Sequence, residues 1–149
     1  MKKKIAVVFG GKSAEHEVSL NSASNIFNAI DLDRFDAILL GVDPQGRWQY
    51  NPDYPTSQVN LPQNDYFAEA GPVWLDNSEG RTAIISKSNT EVLDTFDVAF
   101  SIIHGTNGED GVMQGFFRSL NIPFVGPDVL GSAVCMDKDV TKRLLRDFH

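Results

Sequence analysis

The chain has 149 residues, of which 42% are hydrophobic and 22% are charged, a composition typical of one globular domain with its own core. Its formal net charge of -7 argues against a nucleic-acid partner, because displacing counterions from phosphates requires a basic surface. Cys135 is the only cysteine, and the basic run Lys2 to Lys4 precedes an apolar segment too short for a signal peptide or a membrane span. We therefore expect a cytoplasmic protein with no internal disulfide and no membrane partner.

The first predicted elements are a strand, a glycine turn and a helix, in the stretch IAVVFGGKSAEHEVS from Ile5 to Ser19. Ile5 to Phe9 form a short apolar run, which is typical of a parallel strand buried on both faces. The pair Gly10-Gly11 ends it, and Ser13 is suited to cap the next helix, predicted over Val18 to Ile30. Open α/β sheets bind ligands at the carboxyl ends of their strands, so this turn is a candidate site.

Two phosphate-binding patterns fail in this turn. Gly11-Lys12-Ser13 resembles the end of a P-loop, but Ala6 stands where that loop requires its first glycine. The dinucleotide pattern G-x-G-x-x-G fails because the two glycines are adjacent. Glu15 would repel a phosphate and attract an ammonium group, since it is negatively charged. The residues therefore predict a cation-seeking group at the sheet edge, with a solvated glutamate at a helix start as the alternative.

The second apolar strand is predicted over Phe35 to Asp43, and a short strand over Arg47 to Tyr50 follows a turn. A helix between the first two strands indicates a βαβ unit, whose right-handed crossover makes the strands parallel. Asn51 to Asp94 differs, since it is rich in Asn, Pro, Ser and Asp. Weak alternation at 73–75 and 82–85, around a turn at 77–80, predicts a small hairpin inside an insertion rather than a separate domain.

A further buried strand is predicted over Phe96 to Ile103, and it too ends in a glycine turn, HGTNGEDG from His104 to Gly111. A helix over 112–120 and a short strand at 123–126 follow. Two such turns in one parallel sheet lie at the same edge, which makes Glu15 and His104 candidate neighbours.

Plainer interpretations of this second turn stay open. A histidine just past a strand often only binds loop backbone, which is the alternative for His104. Glu109 and Asp110 are interpreted as helix-start charges that hold the shape of the loop. His16 and His104 are far apart in sequence and His149 is terminal, so no metal-ligand spacing is recognisable.

Two helices are predicted at the end of the chain, over Val129 to Cys135 and over Asp137 to His149. The second has an apolar face of Val140, Leu144, Leu145 and Phe148 and no stop signal, so we expect it to continue into a longer protein. The predicted fold class is α/β, an open parallel-sheet, Rossmann-like domain with helices on both faces and an inserted hairpin region at about 51–94.

Three motifs resemble, in order, the N-terminal signatures of D-alanine:D-alanine ligases. They are FGGKSAEHEVS from Phe9 to Ser19, HGTNGEDG from His104 to Gly111 with Gln114-Gly115, and Met136-Asp137-Lys138. The resemblance covers nearly all of this chain but only the first part of the family's length. The long insertion is similar to the longer form of that family.

The resemblance implies a pre-ATP-grasp domain of an ATP-grasp enzyme. Such a ligase uses ATP to phosphorylate the carboxylate of one D-alanine, and the amine of a second attacks the acyl phosphate. The dipeptide serves peptidoglycan precursors. The resemblance further implies Mg²⁺ or Mn²⁺, with ligands beyond His149, and a homodimer in the full-length protein.

The resemblance also implies roles for five residues. Glu15 would bind the ammonium group of the first D-alanine, and His104 would orient that substrate near the reacting groups, which makes both catalytic candidates. Gly11 and Ser13 would line the same substrate site. Lys138 resembles a lysine that reaches the nucleotide, where its compact charge suits phosphate; a solvated helix lysine is the alternative.

The resemblance divides the chain into a substrate-binding domain, 1–137, and a helix at 138–149 leading into an ATP-grasp part. We expect the chain alone to be inactive, because phosphoryl transfer depends on metal ions and donors that the family carries beyond His149. One alternative is a stand-alone α/β module that holds a small amino compound without catalysis. Another is a ligase that makes the D-alanine:D-lactate ester.

Overall fold

The computed structural model describes residues 2–77 and 80–147, which form one eight-stranded sheet and four helices. The strands are β1 (Lys3–Gly10), β2 (Phe35–Val42), β3 (Trp48–Tyr50), β4 (Gly71–Asp76), β5 (Thr82–Ser86), β6 (Val92–Phe96), β7 (Val98–Ser101) and β8 (Phe124–Val125). The helices are α1 (His16–Ala29), α2 (Val112–Ser119), α3 (Val129–Met136) and α4 (Lys138–Arg146), and a 3₁₀ turn covers Tyr66–Ala68. The strand order is β6-β5-β4-β3-β2-β1-β7-β8.

Strands β2, β1, β7 and β8 form a parallel half of the sheet, with β1 between β2 and β7. Residues Ala6 to Phe9 of β1 are completely buried. Val7 and Phe9 belong to the core on one face, and Ala6 and Val8 belong to the core on the other. This confirms the prediction of a parallel strand that is covered on both faces.

Helices cover both faces of the parallel half, as predicted. Helix α1 packs Ala23 and Phe27 against the face that carries Val7. Helix α2 packs Phe117 against the face that carries Val8. After each glycine turn the chain forms a helix that packs back on the sheet, α1 on one face and α2 on the other. The two turns therefore begin at the sheet edge and lead to opposite faces.

The segment between β3 and β4 packs on the α1 face. The Asn28 side chain donates to the Val59 carbonyl at 2.8 Å and accepts from the Val59 amide at 2.9 Å. Ser24 Oγ accepts from the Leu61 amide at 3.0 Å. Tyr66 is buried and donates its hydroxyl to the Leu39 carbonyl at 2.9 Å. These bonds attach the insertion to the main domain.

Strands β3, β4, β5 and β6 form an antiparallel half, so the sheet is mixed rather than wholly parallel. The predicted hairpin is confirmed as β4 and β5, although residues 78 and 79 of its turn lie outside the described residues. Strand β6, which the sequence does not predict, pairs with β5. The insertion therefore extends the sheet, and Val73 and Ile84 share one core with Ala6 and Val8.

The prediction of one strand over Phe96 to Ile103 is wrong at its start. Phe96 ends β6 and Val98 begins β7, and these two strands do not pair with each other: β6 pairs with β5, whereas β7 pairs with β1 and β8. Asp97, between them, accepts from the Lys4 amide at 2.7 Å and donates its own amide to the Lys4 carbonyl at 2.9 Å. Asp97 therefore separates two apolar segments, and its bonds to Lys4 hold the point where the chain passes from β6 to β7.

The last two helices are present as predicted, with α4 ending at Arg146. Asp137 caps α4, because its side chain accepts from the amides of Asp139 and Val140 at 3.0 Å each. Phe148 and His149, which we assign to the predicted helix, lie outside the described residues. In the described part of the chain, no helix is long and apolar enough to cross a membrane.

Candidate functional site

The two glycine turns lie side by side at the carboxyl ends of β1 and β7. The strands pair in parallel register from Ile5 opposite Val98 to Val8 opposite Ser101, so both chains leave the sheet at the same edge. The Asn107 side chain also donates to the Lys12 carbonyl at 3.2 Å, directly across the two turns. The expected juxtaposition of the turns is therefore confirmed.

A buried hydroxyl joins these strand ends to α1. Ser19 is fully buried; its Oγ accepts from the Gly10 amide at 2.8 Å and donates to the Ile102 carbonyl at 2.6 Å. One side chain therefore satisfies a backbone group of the last residue of β1 and one of the residue that follows β7. Sequence reasoning missed Ser19, because its spacing in a helix does not show that two turns converge on it.

Glu15 lies against the second glycine turn. A methyl group placed on Gly105 would overlap the Glu15 carboxylate and would lie 3.1 Å from Ser13 Oγ. Gly105 also has a φ of +67°, which side chains rarely adopt. Its lack of a side chain therefore lets the carboxylate and the hydroxyl reach the backbone between His104 and the rest of the loop.

Ser13 lies where the sequence predicts a helix cap, but that role is wrong. Helix α1 begins at His16 with Glu15 in the N-cap position, and no side chain there caps it. The Ser13 hydroxyl instead accepts from the Glu15 amide at 3.1 Å, inside the turn. The hydroxyl thus helps to place the backbone of Glu15 rather than the first turn of the helix.

Gly11 shapes the floor of the site through its backbone. Its amide donates to the Val42 carbonyl at 2.7 Å, so this N–H is already engaged. Its φ is +96°, and an added Cβ would lie 2.6 Å from Cγ2 of Ile103. Gly11 thus provides a close approach between the two turns, and a larger residue would force them apart.

His104 is held between α1 and its own loop. Its Nε2 lies 2.9 Å from Ser22 Oγ, and its Nδ1 lies 3.7 Å from Glu109 Oε1. Glu109 Oε2 accepts from the Gly105 amide at 3.0 Å. The imidazole therefore has a hydrogen-bond partner at Nε2 and a nearby carboxylate at Nδ1, which favour one orientation of the ring.

The acidic residues of the second turn hold the loop, as predicted. Besides the Glu109 bond to Gly105, Asp110 accepts from the Asn107 amide at 2.9 Å and from the Val112 amide at 3.1 Å. Sequence reasoning did not identify the contacts of His104 with Ser22 and Glu109. Ser22 follows Glu15 by seven residues, which is about two helical turns. This spacing puts both residues on the same side of the helix and was the available signal that Ser22 lies near the site.

The arrangement can bind a cation. The Glu15 residue is exposed and lies at the start of α1, where the helix dipole is positive, so its carboxylate is accessible to a ligand. The Ser13 hydroxyl and the Glu15 carboxylate both lie next to Gly105, and His104 is the residue that precedes Gly105. An ammonium group at this carboxylate would place the rest of a small molecule along the edge formed by the two turns.

Lys138 and His16 make no contact with Glu15 or His104 that is described above. Lys138 is the first residue of α4 and is exposed; among the described residues, the contacts of Glu15 and His104 run to the turns and α1 rather than to Lys138. His16 Nδ1 lies 2.8 Å from the Gly11 carbonyl oxygen. Within 2–77 and 80–147, no group of three or more His, Cys, Asp or Glu side chains could hold a metal ion.

Comparison with known proteins gives consistent matches along the chain. A family model described as "D-ala D-ala ligase N-terminus" matches residues 4–127. Two named relatives are each 50% identical to this chain. They are D-alanine--D-alanine ligase from Oceanobacillus iheyensis, matched over 99% of this chain, and D-alanine--D-alanine ligase A from Escherichia coli, matched over 98% of it. These alignments cover 41% of each relative, so the chain spans about two fifths of their length.

A solved structure is similar over the same extent. The crystal structure of VanG D-Ala:D-Ser ligase from Enterococcus faecalis matches 98% of this chain and 42% of its own, with a TM-score of 0.81 and 38% identity. The similarity therefore includes the insertion as well as the two glycine turns.

Proposed function

The chain belongs to the D-alanine:D-alanine ligase family and spans its N-terminal part, and on that premise we propose that the whole protein joins two D-alanine molecules at the expense of ATP. In this reaction ATP transfers a phosphoryl group to the carboxylate of the first D-alanine. The amine of the second attacks the acyl phosphate, forming the amide bond and releasing phosphate. The product would enter peptidoglycan precursor synthesis.

The observation that carries the proposal for this chain is the contact of the Glu15 carboxylate with Gly105, at the edge where both turns meet. In the proposal, Glu15 receives the ammonium group of the first D-alanine. From its place next to Gly105, the bound ammonium group would let the substrate carboxylate extend away from the turn, toward the groups that phosphorylate it. Glu15 therefore binds and orients, and it takes part in no covalent step.

His104 orients the same substrate in this proposal. Its imidazole is fixed between Ser22 and Glu109, so it presents a constant face to the ligand rather than rotating freely. Ser13 adds a hydroxyl next to the carboxylate. Gly11 has no side chain and its amide is already bonded to the Val42 carbonyl, so in this proposal it contributes space rather than a hydrogen bond. A rigid arrangement of this kind contributes to rate by positioning.

We assign residues 1–137 to the substrate-binding domain and 138–149 to the start of the nucleotide-binding part. Lys138 would reach a nucleotide phosphate from the beginning of α4, where it is exposed. Because the family resemblance implies Mg²⁺ or Mn²⁺ ligands beyond His149, the proposal places them there. Phosphoryl transfer depends on such ions, so we expect this chain alone to release no ADP.

The test measures D-alanine-dependent ADP release by the full-length protein, with Glu15→Gln and Glu17→Gln as a matched pair. Both glutamates are exposed near the start of α1, and both changes remove one negative charge. Losing a charge-assisted hydrogen bond weakens binding by about 10- to 100-fold, so Glu15→Gln should raise the KM for the first D-alanine by that factor. Glu17→Gln should leave it unchanged.

The outcomes separate the open alternatives. If the full-length protein releases no ADP with D-alanine, the ligase proposal fails and a binding module without catalysis takes its place. If D-serine or D-lactate supports turnover better than D-alanine as the second substrate, the reaction is assigned to that acceptor. The D-serine arm is included because the similar VanG structure is described as a D-Ala:D-Ser ligase.

A further inference from the structure

The imidazole of His16 closes the first glycine turn on its helix side. Its Nδ1 lies 2.8 Å from the carbonyl oxygen of Gly11, in a partly buried position. A carbonyl oxygen only accepts, so Nδ1 carries the proton and donates it to this bond. The backbone amide of His16 also donates to the Ser13 carbonyl, at 3.3 Å. One residue therefore binds the turn at two points, and Glu15 lies on the segment enclosed between Gly11 and His16.

This attachment takes the place of a helix cap. Glu15 is in the N-cap position of α1, but no side chain there caps the helix. A capping side chain would turn toward the amides of its own helix, whereas the carboxylate of Glu15 lies next to Gly105 of the second turn. The bond from His16 to Gly11 therefore joins the start of the helix to the turn without using the Glu15 carboxylate.

Phe67, in the 3₁₀ turn of the insertion, packs against the imidazole of His16. The two ring centroids are 5.8 Å apart, with 39° between the ring planes. The ring of Phe67 also lies 5.8 Å from that of Phe9 in β1, and an added Cβ on Gly41 of β2 would be 2.7 Å from its Cε1. The ring that supports His16 is therefore held by β1 and β2, separately from the hydrogen bonds that attach the insertion to α1.

The imidazole also lies close to the backbone of Gly10. An added Cβ on Gly10 would be 3.0 Å from Cε1 of His16, so the ring and the turn are in close contact. The hydrogen bond to Gly11, the ring of Phe67 and the contact with Gly10 each disfavour rotation of the imidazole. A side chain held in this way fixes the turn relative to the sheet.

We propose that His16 is a positioning residue of the amino-acid site: its Nδ1–H bond to Gly11 fixes the turn that carries Glu15, and Phe67 supports the imidazole. His16 touches no reacting atom in this proposal and acts only through Glu15. The inference rests on the proposed function, since it concerns the site that receives the first D-alanine. It also gives the insertion, through Phe67, a part in substrate binding.

The test compares His16→Leu with His16→Asn in the full-length protein and measures D-alanine-dependent ADP release. Leucine removes the donor, whereas Nδ2 of asparagine is bonded to Cγ as Nδ1 of histidine is, so it offers an N–H at a similar place. The loss of one hydrogen bond corresponds to about fivefold in binding, so His16→Leu should raise the KM for the first D-alanine by that factor. His16→Asn should recover most of this loss.

The kinetic constants separate positioning from a loss of folding. The KM for ATP should stay unchanged in both His16 variants, because the bond to Gly11 lies in the amino-acid site. Partial unfolding of a variant would instead lower kcat and leave both KM values unchanged, since the remaining folded molecules would bind normally.

Phe67→Leu tests the support from the insertion, with Tyr54→Leu as the matched control. Both aromatic residues belong to the insertion and pack in the same core. Among the described residues, the ring of Tyr54 contacts that of Tyr66, at 5.2 Å between centroids, and has no ring contact with His16. Phe67→Leu should raise the KM for the first D-alanine by a smaller factor than His16→Leu, because the hydrogen bond to Gly11 remains. Tyr54→Leu should lower the thermal midpoint and leave this KM unchanged.

Amide hydrogen exchange of residues 12–15, followed by mass spectrometry, tests the turn without any turnover. Exchange should be faster in His16→Leu than in the unchanged protein or in His16→Asn, since the turn is no longer closed. If the unchanged protein releases no ADP with D-alanine, the proposed function fails, and the exchange rates still decide whether His16 fixes the turn.

Four results would overturn the inference. An unchanged KM for the first D-alanine in His16→Leu would show that His16 does not position the site. Equal impairment of His16→Asn and His16→Leu would show that the donated hydrogen bond is not what holds the turn. A rise in KM that is as large in Tyr54→Leu as in Phe67→Leu would reduce the contribution of Phe67 to general packing. Equal exchange of residues 12–15 in His16→Leu and in the unchanged protein would show that the turn is closed without His16.

Discussion

The parallel and antiparallel halves of the sheet differ in how their strands are covered. In β1 the run Ala6 to Phe9 is completely buried, because helices lie on both faces. In β4 buried and exposed residues alternate, and Trp74 is 45% exposed. The candidate ligands come from the parallel half, since strands that run the same way bring their following turns to one edge. The antiparallel half enlarges the core and carries none of the proposed site residues.

The two halves are also joined by different kinds of contact. At the site, the Ser19 hydroxyl bridges the last residue of β1 and the residue that follows β7. Across the halves, Asp94 of β6 accepts from Lys4 of β1 at 2.6 Å and from the Tyr50 hydroxyl of β3 at 2.8 Å. We therefore expect changes that remove the Ser19 contacts to alter activity, and changes that remove the Asp94 contacts to alter only stability.

The largest expected effect is that of Gly105→Ala. The new methyl group would overlap the Glu15 carboxylate, so Glu15 must move. We expect the kcat/KM of the full-length protein to fall by about 100-fold or more, in line with the cost of displacing a positioning group. The measurement is D-alanine-dependent ADP release.

Gly80→Ala is the matched control for this change, in the antiparallel half. Gly80 also has a positive φ, +86°, but among the described residues no atom beyond its chain neighbours lies within 4 Å of an added Cβ. Both variants should lose about 1 kcal/mol or more of stability through backbone strain. Normal activity in Gly105→Ala, or an equal loss of activity in Gly80→Ala, would contradict the division between the halves.

The next effect is expected for Ser19→Ala, compared with Ser24→Ala on the same helix. Both serines are buried and make two hydrogen bonds, but Ser24 bonds to the Leu20 carbonyl and the Leu61 amide. Each change should lower the free energy of unfolding by about 1–3 kcal/mol, because it leaves buried backbone groups unpaired. Urea unfolding checks this.

Activity should separate these two serine variants. Ser19→Ala loosens the ends of β1 and β7 and should raise the KM for D-alanine, whereas Ser24→Ala affects only the attachment of the insertion. Equal KM values for the two variants would show that the bridge to Ile102 does not position the site.

The smallest effect concerns Asp94→Asn and appears as a pH dependence. Burial alone would raise the pKa of Asp94, but hydrogen bonds from Lys4 and Tyr50 outweigh it and hold the pKa below the ordinary value of 3.8. A carboxyl whose pKa is lower in the folded protein adds stability above its unfolded pKa and loses it as the pH falls through the folded pKa. We therefore expect Asp94→Asn to cost about 1–2 kcal/mol near pH 7, and this difference should shrink below about pH 4.

Urea unfolding at pH 7 and at pH 3 measures this difference. Asp36→Asn, at an exposed residue of β2, is the control and should stay within about 0.5 kcal/mol of the unchanged protein. A constant gap between Asp94→Asn and the unchanged protein at both values of pH would show that the contacts of Asp94 do not depend on its charge. Activity at neutral pH should be the same in both variants.

The sequence predicted strands correctly where consecutive residues are all buried. The run Ile5 to Phe9 predicted β1 because a doubly covered strand requires uninterrupted apolar residues. The insertion was harder, since its strands are covered on one face and β6 carries polar residues such as Asp94 at positions that are satisfied by distant partners. The break at Asp97 is equally hidden, because its bonds to Lys4 join residues 93 apart in sequence.

The candidate site shows the same division. Two glycine turns after two parallel strands predicted that the turns lie at one edge, and the structure places Glu15 of the first turn next to Gly105 of the second. The contacts of His104 with Ser22 and Glu109 were not predicted, because they depend on side-chain directions. The roles of Gly11, Ser13 and Lys138 toward substrate and nucleotide stay predictions.

The sequence by itself determined the βαβ order, the two turns at one edge and the presence of a carboxylate there, since these follow from periodicity, glycine and strand direction. Tertiary structure alone decided that a buried Ser19 joins the turns and that Gly105 makes room for Glu15. It also decided that half of the sheet is antiparallel. The physical reason is range: backbone preference acts between neighbours in the chain, whereas hydrogen bonds and steric contacts act between residues that only folding brings together.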